Sequence, residues 1–421
     1  QNTRPGTHRR PVAYPRGTGG KLMRTDSRAL VSIALVAVAL GVSPLVPANG
    51  AQPETAPTAD ALLAGVIEEM GQERFDLALQ NIDALIRVRP NFRLAHLIRG
   101  DLLLARARPI KTLGAAPNAP AGRLEGLRAE ALARLQAYRE RPPTNQVPRY
   151  LMQLRDDQKY AVVVDTRRSR LYLYQNDDGK PRFVADYYIS SGKNGAEKAR
   201  EGDEKTPIGV YHVTASLPRR KLSDFYGSGA FPIDYPNEWD RIQGRNGHGI
   251  WLHGTPSDTY SRPPRSSNGC VVLANADLDA LAQNLQIGLT PVIISEDVEW
   301  LSLDDWASER KAFREQFENW RADWESLDAD RYLSHYSAKF AAGGENLAAW
   351  SRHKRQVNSA KKWIKVDARN VSMFRNPGKE DLVVVTFDQD YRSSNLSNAM
   401  KKRQYWTRED GHWRIVYEGA V

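Results

Sequence analysis

The sequence contains one cysteine, Cys270, which follows His253 by seventeen residues in the stretch "WLHGTPSDTYSRPPRSSNGCVVL". A cysteine thiolate is a strong nucleophile, and a nearby histidine can take the thiol proton and return it later. Gly269 permits a sharp turn before the cysteine, and residues 271–273 are typical of a strand. The pattern favours a nucleophilic Cys/His pair, and a small buried apolar cysteine is the alternative.

The residues around this pair are predicted to form strands. Between residues 159 and 191, β-branched and aromatic residues alternate with polar ones, and Asp177-Asp178-Gly179 predicts a hairpin turn. The segment "DLDALAQNL" predicts a helix and "TPVIIS" a closing strand. We therefore expect residues 155–297 to form a mainly β domain that places Cys270 and His253 at strand ends.

Three motifs, "GDEKTPIGVY", "GIWLHGTP" and "SSNGCVVLANADLDAL", resemble the catalytic domain of the L,D-transpeptidases, the YkuD-type family of peptidoglycan enzymes. The resemblance implies that Cys270 is the nucleophile, that His253 is the general base, and that the carbonyl of Gly254 holds the imidazole. The backbone N–H groups of Gly269 and Cys270 are the expected oxyanion donors. Ser267 and Asn268 of the same turn are further candidates for oxyanion or substrate contacts. Tyr226 and Trp251 are candidates for the substrate groove, with aromatic core packing as the alternative.

The reaction implied by the resemblance is attack on a peptidoglycan tetrapeptide stem, with a thioester at Cys270 and transfer of the acyl group to an amine. If water is the acceptor, the protein is an L,D-carboxypeptidase or a hydrolase that releases wall-linked lipoprotein. Asn268 and Val272 replace a His and an Arg of many family members, and they resemble a divergent branch that includes cell-shape L,D-carboxypeptidases. A non-catalytic wall-binding scaffold is the alternative from another class.

The regions on either side of this domain predict different structures. Residues 51–148 contain apolar residues at helical spacing and resemble a tetratricopeptide-type hairpin, with a generic helical bundle as the alternative. Residues 303–421 predict a long helix followed by strands, and they resemble an NTF2-like cone that folds separately and binds substrate or partners. The predicted fold class is multidomain α+β: a helical segment, a mainly β domain and an α+β cone.

The N-terminal residues predict export. Residues 23–50 combine two arginines, an uncharged run from Ala29 to Val42 and the small residues Ala48-Asn49-Gly50, the layout of a secretory signal peptide. An uncleaved membrane anchor is the alternative. Residues 1–22 are expected to be a non-native or disordered extension, with translation starting at Met23. The predicted location is the periplasm or cell envelope.

Composition limits the expected partners. Residues 1–50 carry seven Lys/Arg and one Asp, so +6 of the formal +10 lies there and +4 remains for residues 51–421. That charge is too small to favour nucleic-acid binding. One cysteine excludes an intramolecular disulfide, and no ligand spacing for a metal or cofactor is present. The expected partners are peptidoglycan stem peptides, with a wall-anchored lipoprotein or cell-shape proteins as further candidates.

Overall fold

The computed structural model describes residues 58–115, 120–142 and 144–421 of the chain. The predicted extension at residues 1–22 and the predicted signal peptide at residues 23–50 lie outside the described residues and stay predictions. Within the described residues, no helix is both long and apolar enough to cross a membrane.

The N-terminal part of the described chain is helical, as predicted. Its helices are α1 (Ala59–Gly71), α2 (Phe75–Val88), α3 (Arg93–Ala105) and α4 (Ala121–Arg139). Apolar residues three or four positions apart, such as Leu63 with Val66 and Ile82 with Leu85, form a buried core between the helices. The tetratricopeptide-like character of this region stays a prediction.

The central part is built on a mixed sheet. Its strands are β3 (Tyr160–Asp165), β4 (Arg170–Asp177), β5 (Lys180–Gly192), β6 (Gly209–His212), β7 (Leu217–Pro218), β8 (Gly229–Pro232), β9 (Trp251–His253), β10 (Arg265–Ser267), β11 (Val271–Leu273) and β12 (Pro291–Ser295), preceded in the chain by the short β1 (Gln146–Pro148) and β2 (Leu151–Gln153). Two helices complete it, α5 (Glu238–Ile242) and α6 (Asn275–Ala282). In the described residues the strand order is β6-β12-β3-β4-β5-β11-β9-β8-β7, with β10 on β5. The predicted hairpin turn joins β4 to β5, and Asp178 and Gly179 both have positive φ, as a type I′ turn requires.

Alternate residues of the central strands face two different hydrophobic cores. Val162 and Val164 of β3 belong to the core that contains Leu278 of α6, whereas Ala161 and Val163 belong to a second core. Side chains of a strand point alternately to the two faces of its sheet. Both faces of this sheet are therefore covered by protein.

The C-terminal part packs a long helix on an antiparallel sheet. After β13 (Trp300–Ser302), which pairs with β1, its elements are α7 (Leu303–Glu325), α8 (Ala329–Leu333), β14 (Ala341–Ala342), β15 (Glu345–Asn346), α9 (Leu347–Ser359), β16 (Ile364–Arg375), β17 (Leu382–Ser393), β18 (Ser397–Glu409) and β19 (His412–Ala420). Phe317 and Trp320 of α7 pack on Phe387 and Trp406 of the sheet. The predicted order, a long helix followed by strands, is confirmed.

The C-terminal part shares a sheet and a hydrophobic core with the rest of the described chain, and the separate folding of residues 303–421 stays a prediction. Strand β2, which precedes the central sheet in the chain, pairs antiparallel with β16 and extends the C-terminal sheet. Leu382 and Val384 of β17 also share a core with Val163 of β3. A chain ending at Asp297 would expose this apolar face, so it would not contain a complete central domain.

Candidate active site

The strand register places Cys270 and His253 on one face of the sheet. β9 and β11 are parallel neighbours, with Val271 opposite Leu252 and Val272 opposite His253. Leu252 and Val271 face the buried core, so His253 and Val272 face the other way. Cys270 lies two residues before Val272 and thus on the side of His253. The thiol is half-buried, and its Sγ lies 3.4 Å from the carbonyl oxygen of Gly249.

The turn before Cys270 is fixed by hydrogen bonds. Ser267 Oγ donates to the carbonyl of Cys270 at 2.6 Å and accepts the N–H of Gly269 at 3.1 Å. Gly269 has a φ of +122°, and a Cβ there would lie 2.7 Å from the carbonyl oxygen of Lys205. Thr206 Oγ1 donates to the carbonyl of Gly269 at 3.0 Å. Glycine is therefore required at this position by both its φ and its close backbone contact.

These hydrogen bonds alter the expectation for the oxyanion donors. The N–H of Gly269 is already used by Ser267 Oγ in this structure, so it is not free to bind an oxyanion while that bond persists. The N–H of Cys270 is the donor we retain for this role. Asn268 is exposed, and Ser267 is buried and acts within the turn.

The carbonyl of Gly254 orients His253, in the arrangement that the resemblance implied. His253 Nδ1 lies 2.7 Å from the carbonyl oxygen of Gly254. A carbonyl can only accept, so Nδ1 carries the proton and Nε2 of the neutral ring has a free lone pair. A Cβ on Gly254 would lie 2.1 Å from Asn275 Oδ1. That oxygen accepts the N–H groups of Ser228 and Thr255, at 2.9 and 3.1 Å.

Asn275 therefore supports the histidine segment, a role that the sequence analysis missed. It is the first residue of α6, and its Nδ2 also donates to the carbonyl of Thr255 at 2.8 Å. The sequence signal was an asparagine at the start of a predicted helix, which usually indicates only a cap. The side chain instead links α6 to the backbone of Ser228 and of Thr255, the residue after Gly254.

Aromatic rings surround the imidazole. The ring centroids of Tyr226 and His253 are 5.1 Å apart, and those of Tyr226 and Trp251 are 4.9 Å apart. Phe225, which the sequence analysis did not select, lies 5.8 Å from His253 and is 49 % exposed. Tyr226 and Trp251 are half-buried, so they pack beside the site and still reach its surface.

Burial keeps both reactive groups neutral at pH 7. Burial and, to a smaller extent, the charge of Arg262 lower the pKa of His253 to about 4, despite the opposing hydrogen bond to Gly254. Burial raises the pKa of the Cys270 thiol, although the N–H of Trp251 and the charges of Arg262 and Lys198 partly offset this. In the resting state the site therefore holds a thiol and a neutral imidazole, which suits general-base removal of the thiol proton during attack.

This charge state predicts the pH dependence of thiol reactivity. Iodoacetamide should alkylate Cys270 faster as the pH rises from 5 to 10, with a midpoint above the free-thiol value of about 8.5, because a raised thiol pKa delays thiolate formation. Rates measured across this range, with N-acetylcysteine as reference, check the prediction. A plateau beginning near pH 5 would indicate a thiolate–imidazolium pair and contradict it.

The loop between β9 and β10, residues 254–264, rests on the helical region. Ser261 Oγ donates to Glu130 Oε1 at 2.6 Å, and the ring centroids of Tyr260 and Phe92 are 4.6 Å apart. Asn91 Nδ2 donates to the carbonyl of Ser257 at 3.0 Å. The helices thus hold the connection between His253 and Cys270, a contact that the sequence analysis did not predict.

In the described part of the chain, no cluster of three or more His, Cys, Asp or Glu side chains is arranged to hold a metal ion.

Comparison with protein-family models gives two matches. Residues 159–294 match the model described as the L,D-transpeptidase catalytic domain, YkuD. Residues 312–419 match the model described as the Cds6 C-terminal NTF2-like domain. A search of curated proteins finds no match.

Solved structures also match a large part of the chain. Bd1075 from Bdellovibrio bacteriovorus is 27% identical with a TM-score of 0.59, and the match covers 66% of this chain and 98% of that chain. The helical cell shape determining protein Pgp2 from Campylobacter jejuni is 27% identical with a TM-score of 0.55, covering 65% and 95%. A mutant of Pgp2 matches at 25% identity and a TM-score of 0.56, covering 72% and 100%. The chain therefore combines a segment that matches the YkuD L,D-transpeptidase catalytic domain with a segment that matches the Cds6 C-terminal NTF2-like domain, and it is similar in structure to the cell shape determining protein Pgp2.

Proposed function

We propose that the protein cleaves peptidoglycan stem tetrapeptides at the L,D peptide bond, through a thioester at Cys270, with water as the acyl acceptor. The observation that carries the proposal is that the free thiol of Cys270 lies on the same face of the sheet as His253, whose Nδ1 contacts the carbonyl of Gly254. The family match supplies the substrate class. The non-catalytic scaffold is disfavoured because this nucleophile–base pair is complete.

In the proposed acylation, His253 Nε2 takes the proton of the thiol as Sγ attacks the carbonyl carbon of the L,D bond. The N–H of Cys270 stabilises the oxyanion, and one such donor is worth about 3 kcal/mol of barrier. The C–N bond then breaks, and the imidazolium gives its proton to the amine of the departing D-alanine. The thioester retains the tripeptide part of the stem.

In the proposed deacylation, the same imidazole takes a proton from water as the water oxygen adds to the thioester carbonyl. The C–S bond breaks, and the sulfur recovers the proton from the imidazolium. The products are a tripeptide stem and D-alanine, and the enzyme returns to its thiol form. An amine acceptor would use the same steps and leave a new amide bond, so the active-site geometry fits either acceptor.

Likeness to cell shape determining structures is the observation that favours water. The divergent branch that resembles this sequence includes cell-shape L,D-carboxypeptidases, and shortening of stems requires no amine. The sequence analysis favoured an amine acceptor, and transfer to an amine is kept as the second candidate, which the domain match alone supports.

Mass spectrometry of wall fragments incubated with the protein distinguishes the two acceptors. We expect tetrapeptide stems to become tripeptides with release of one D-alanine each, because water completes the reaction. In ¹⁸O-labelled water, one ¹⁸O atom should enter the new carboxylate of the tripeptide. Stems joined through their third residues would identify an amine acceptor, and unchanged fragments would support a non-catalytic role.

The proposed substrate lies outside the cytoplasm, so we also propose that the protein is exported to the periplasm or cell envelope. The supporting observation is the signal-peptide pattern at residues 23–50, which the sequence analysis identified. N-terminal sequencing of the protein from the envelope fraction tests this, and a retained leader would indicate an anchor.

A further inference from the structure

Arg262 presents an unpaired guanidinium beside the site. Its Cζ lies 4.6 Å from the ring centroid of Phe225, the ring that also contacts His253. Within the described residues, the guanidinium has no ion-pair or hydrogen-bond partner, although the side chain is half-buried. Arg170, by contrast, is buried with Asp60 at 2.6 Å. A guanidinium that is partly desolvated and has free N–H donors can form strong hydrogen bonds to an anion.

The backbone on both sides of Arg262 is held in place. Its own carbonyl accepts the hydroxyl of Tyr188 at 2.9 Å, and the preceding Ser261 donates to Glu130. The N–H of Tyr260 donates to the carbonyl of Asn91 at 3.3 Å. A side chain on a fixed backbone and against an aromatic ring loses little entropy when it binds a ligand.

The charge of Arg262 reaches the reacting groups. It acts on both Cys270 and His253. The other cation that acts on Cys270, Lys198, is already paired with Asp203, with Nζ 2.7 Å from Oδ1. Arg262 is therefore the cation at this thiol that still has its hydrogen-bond donors available.

We propose that Arg262 binds a carboxylate of the stem peptide next to the scissile bond. This inference rests on the proposed function for its substrate. A tetrapeptide stem carries a carboxylate on its terminal D-alanine, one residue beyond the bond that is cleaved. Where the third residue is a diamino diacid, a second carboxylate lies on the other side of that bond. Either anion can form a bidentate pair with the guanidinium.

Kinetics on matched stems test the contact. Arg262→Ala should raise KM for the free tetrapeptide about tenfold or more, with a smaller change in kcat, and Arg262→Lys should recover part of the loss. Arg265→Ala, an exposed arginine three residues further on, should match the wild type. Amidation of the carboxylate that Arg262 binds should raise the KM of the wild-type protein. On that amidated stem, the KM values of the wild type and of Arg262→Ala should then be nearly equal. Comparing stems amidated at the terminal D-alanine and at the third residue identifies which carboxylate is bound.

Alkylation provides a readout independent of turnover. Iodoacetate carries a carboxylate and iodoacetamide does not, while both react with the same thiolate. The ratio of their rates at Cys270 should fall several-fold in Arg262→Ala and stay unchanged in Arg265→Ala, because the thiolate fraction cancels in the ratio. The assignment would be overturned if Arg262→Ala left the ratio of the two alkylation rates unchanged. It would also be overturned if Arg262→Ala raised KM equally for the free tetrapeptide and for both amidated stems. If the wild type cleaves no stem yet shows the expected ratio, the proposed function fails while the anion site stands.

Discussion

Cys270→Ser is expected to reduce turnover of stem peptides by at least about three orders of magnitude while the protein stays folded. The serine oxygen is smaller than sulfur and fits this half-buried position, where Cys270 Sγ contacts the carbonyl oxygen of Gly249. Its hydroxyl is far less acidic and far less nucleophilic than a thiol, so it attacks the amide carbonyl much more slowly with the same histidine as base. Release of D-alanine measures turnover, and thermal unfolding checks the fold. A folded Cys270→Ser protein with full activity would refute the thioester mechanism.

Substitution of His253, with His248 as the control, tests the role of the general base. His253→Ala should slow acylation by about two orders of magnitude, because it removes the general base. His248→Ala is the matched control, since that side chain is 79% exposed, with Glu201 Oε1 3.6 Å away. We expect His248→Ala to turn over at the wild-type rate. Equal losses in both variants would show that His253 has no special role.

Local patterns predicted most elements of the fold but not the contacts between its parts. The Asp-Gly turns at Asp178-Gly179 and Asp410-Gly411 both have the positive φ values that a tight hairpin needs. Two adjacent residues are therefore enough to predict each turn. Strand β2 has only three residues, too few to show a period of two. Its membership of the C-terminal sheet depends on a partner more than 200 positions away, so no local pattern could predict this contact between β2 and β16.

In the candidate site, too, local patterns selected some residues and missed those that depend on tertiary contacts. Cys270, His253 and Gly254 lie in two short motifs, so their types and spacing were sufficient to select them. Asn275 and Arg262 act through the register of β9 with β11 and through the docking of the 254–264 loop on the helices. Neither arrangement leaves a local pattern, because an asparagine at a helix start and an arginine in a loop are common in any protein. These residues were found only once the tertiary contacts were known.

Those tertiary contacts include a buried charge network between the helices and the central sheet. Arg134 of α4 is 3% exposed, its Nε donates to Glu130 Oε1 at 2.9 Å, and its Nη1 donates to Asp60 of α1. Its guanidinium Cζ also lies 3.9 Å from the ring centroid of Tyr188 in β5. Burial opposes ionisation of Asp60, yet Arg134 and Arg170 hold its pKa below the ordinary value. Arg134 therefore offsets the negative charge of two buried carboxylates, Asp60 and Glu130.

Arg134→Met should lower the free energy of unfolding by about 3–5 kcal/mol at pH 8, because it leaves Asp60 and Glu130 without this cation while preserving much of the side-chain volume. Urea unfolding measures the loss. Arg106→Met is the control, since Arg106 and its partner Asp76 are 53% and 90% exposed, and removal of such a pair costs about 1 kcal/mol or less. Equal losses in the two variants would contradict the prediction.

The pH dependence of this loss has a defined sign. Without Arg134, the folded-state pKa of Asp60 should rise above that of the unfolded chain, and the pKa of Glu130, which burial already raises, should rise further. The folded protein then takes up protons first as the pH falls. Protonation removes the uncompensated charge, and the deficit of Arg134→Met relative to wild type should therefore shrink between pH 8 and pH 5. Adding Asp60→Asn and Glu130→Gln should recover part of the stability at pH 8 for the same reason. A deficit that stays constant with pH would assign the loss to packing against Tyr188 and Phe92 rather than to charge.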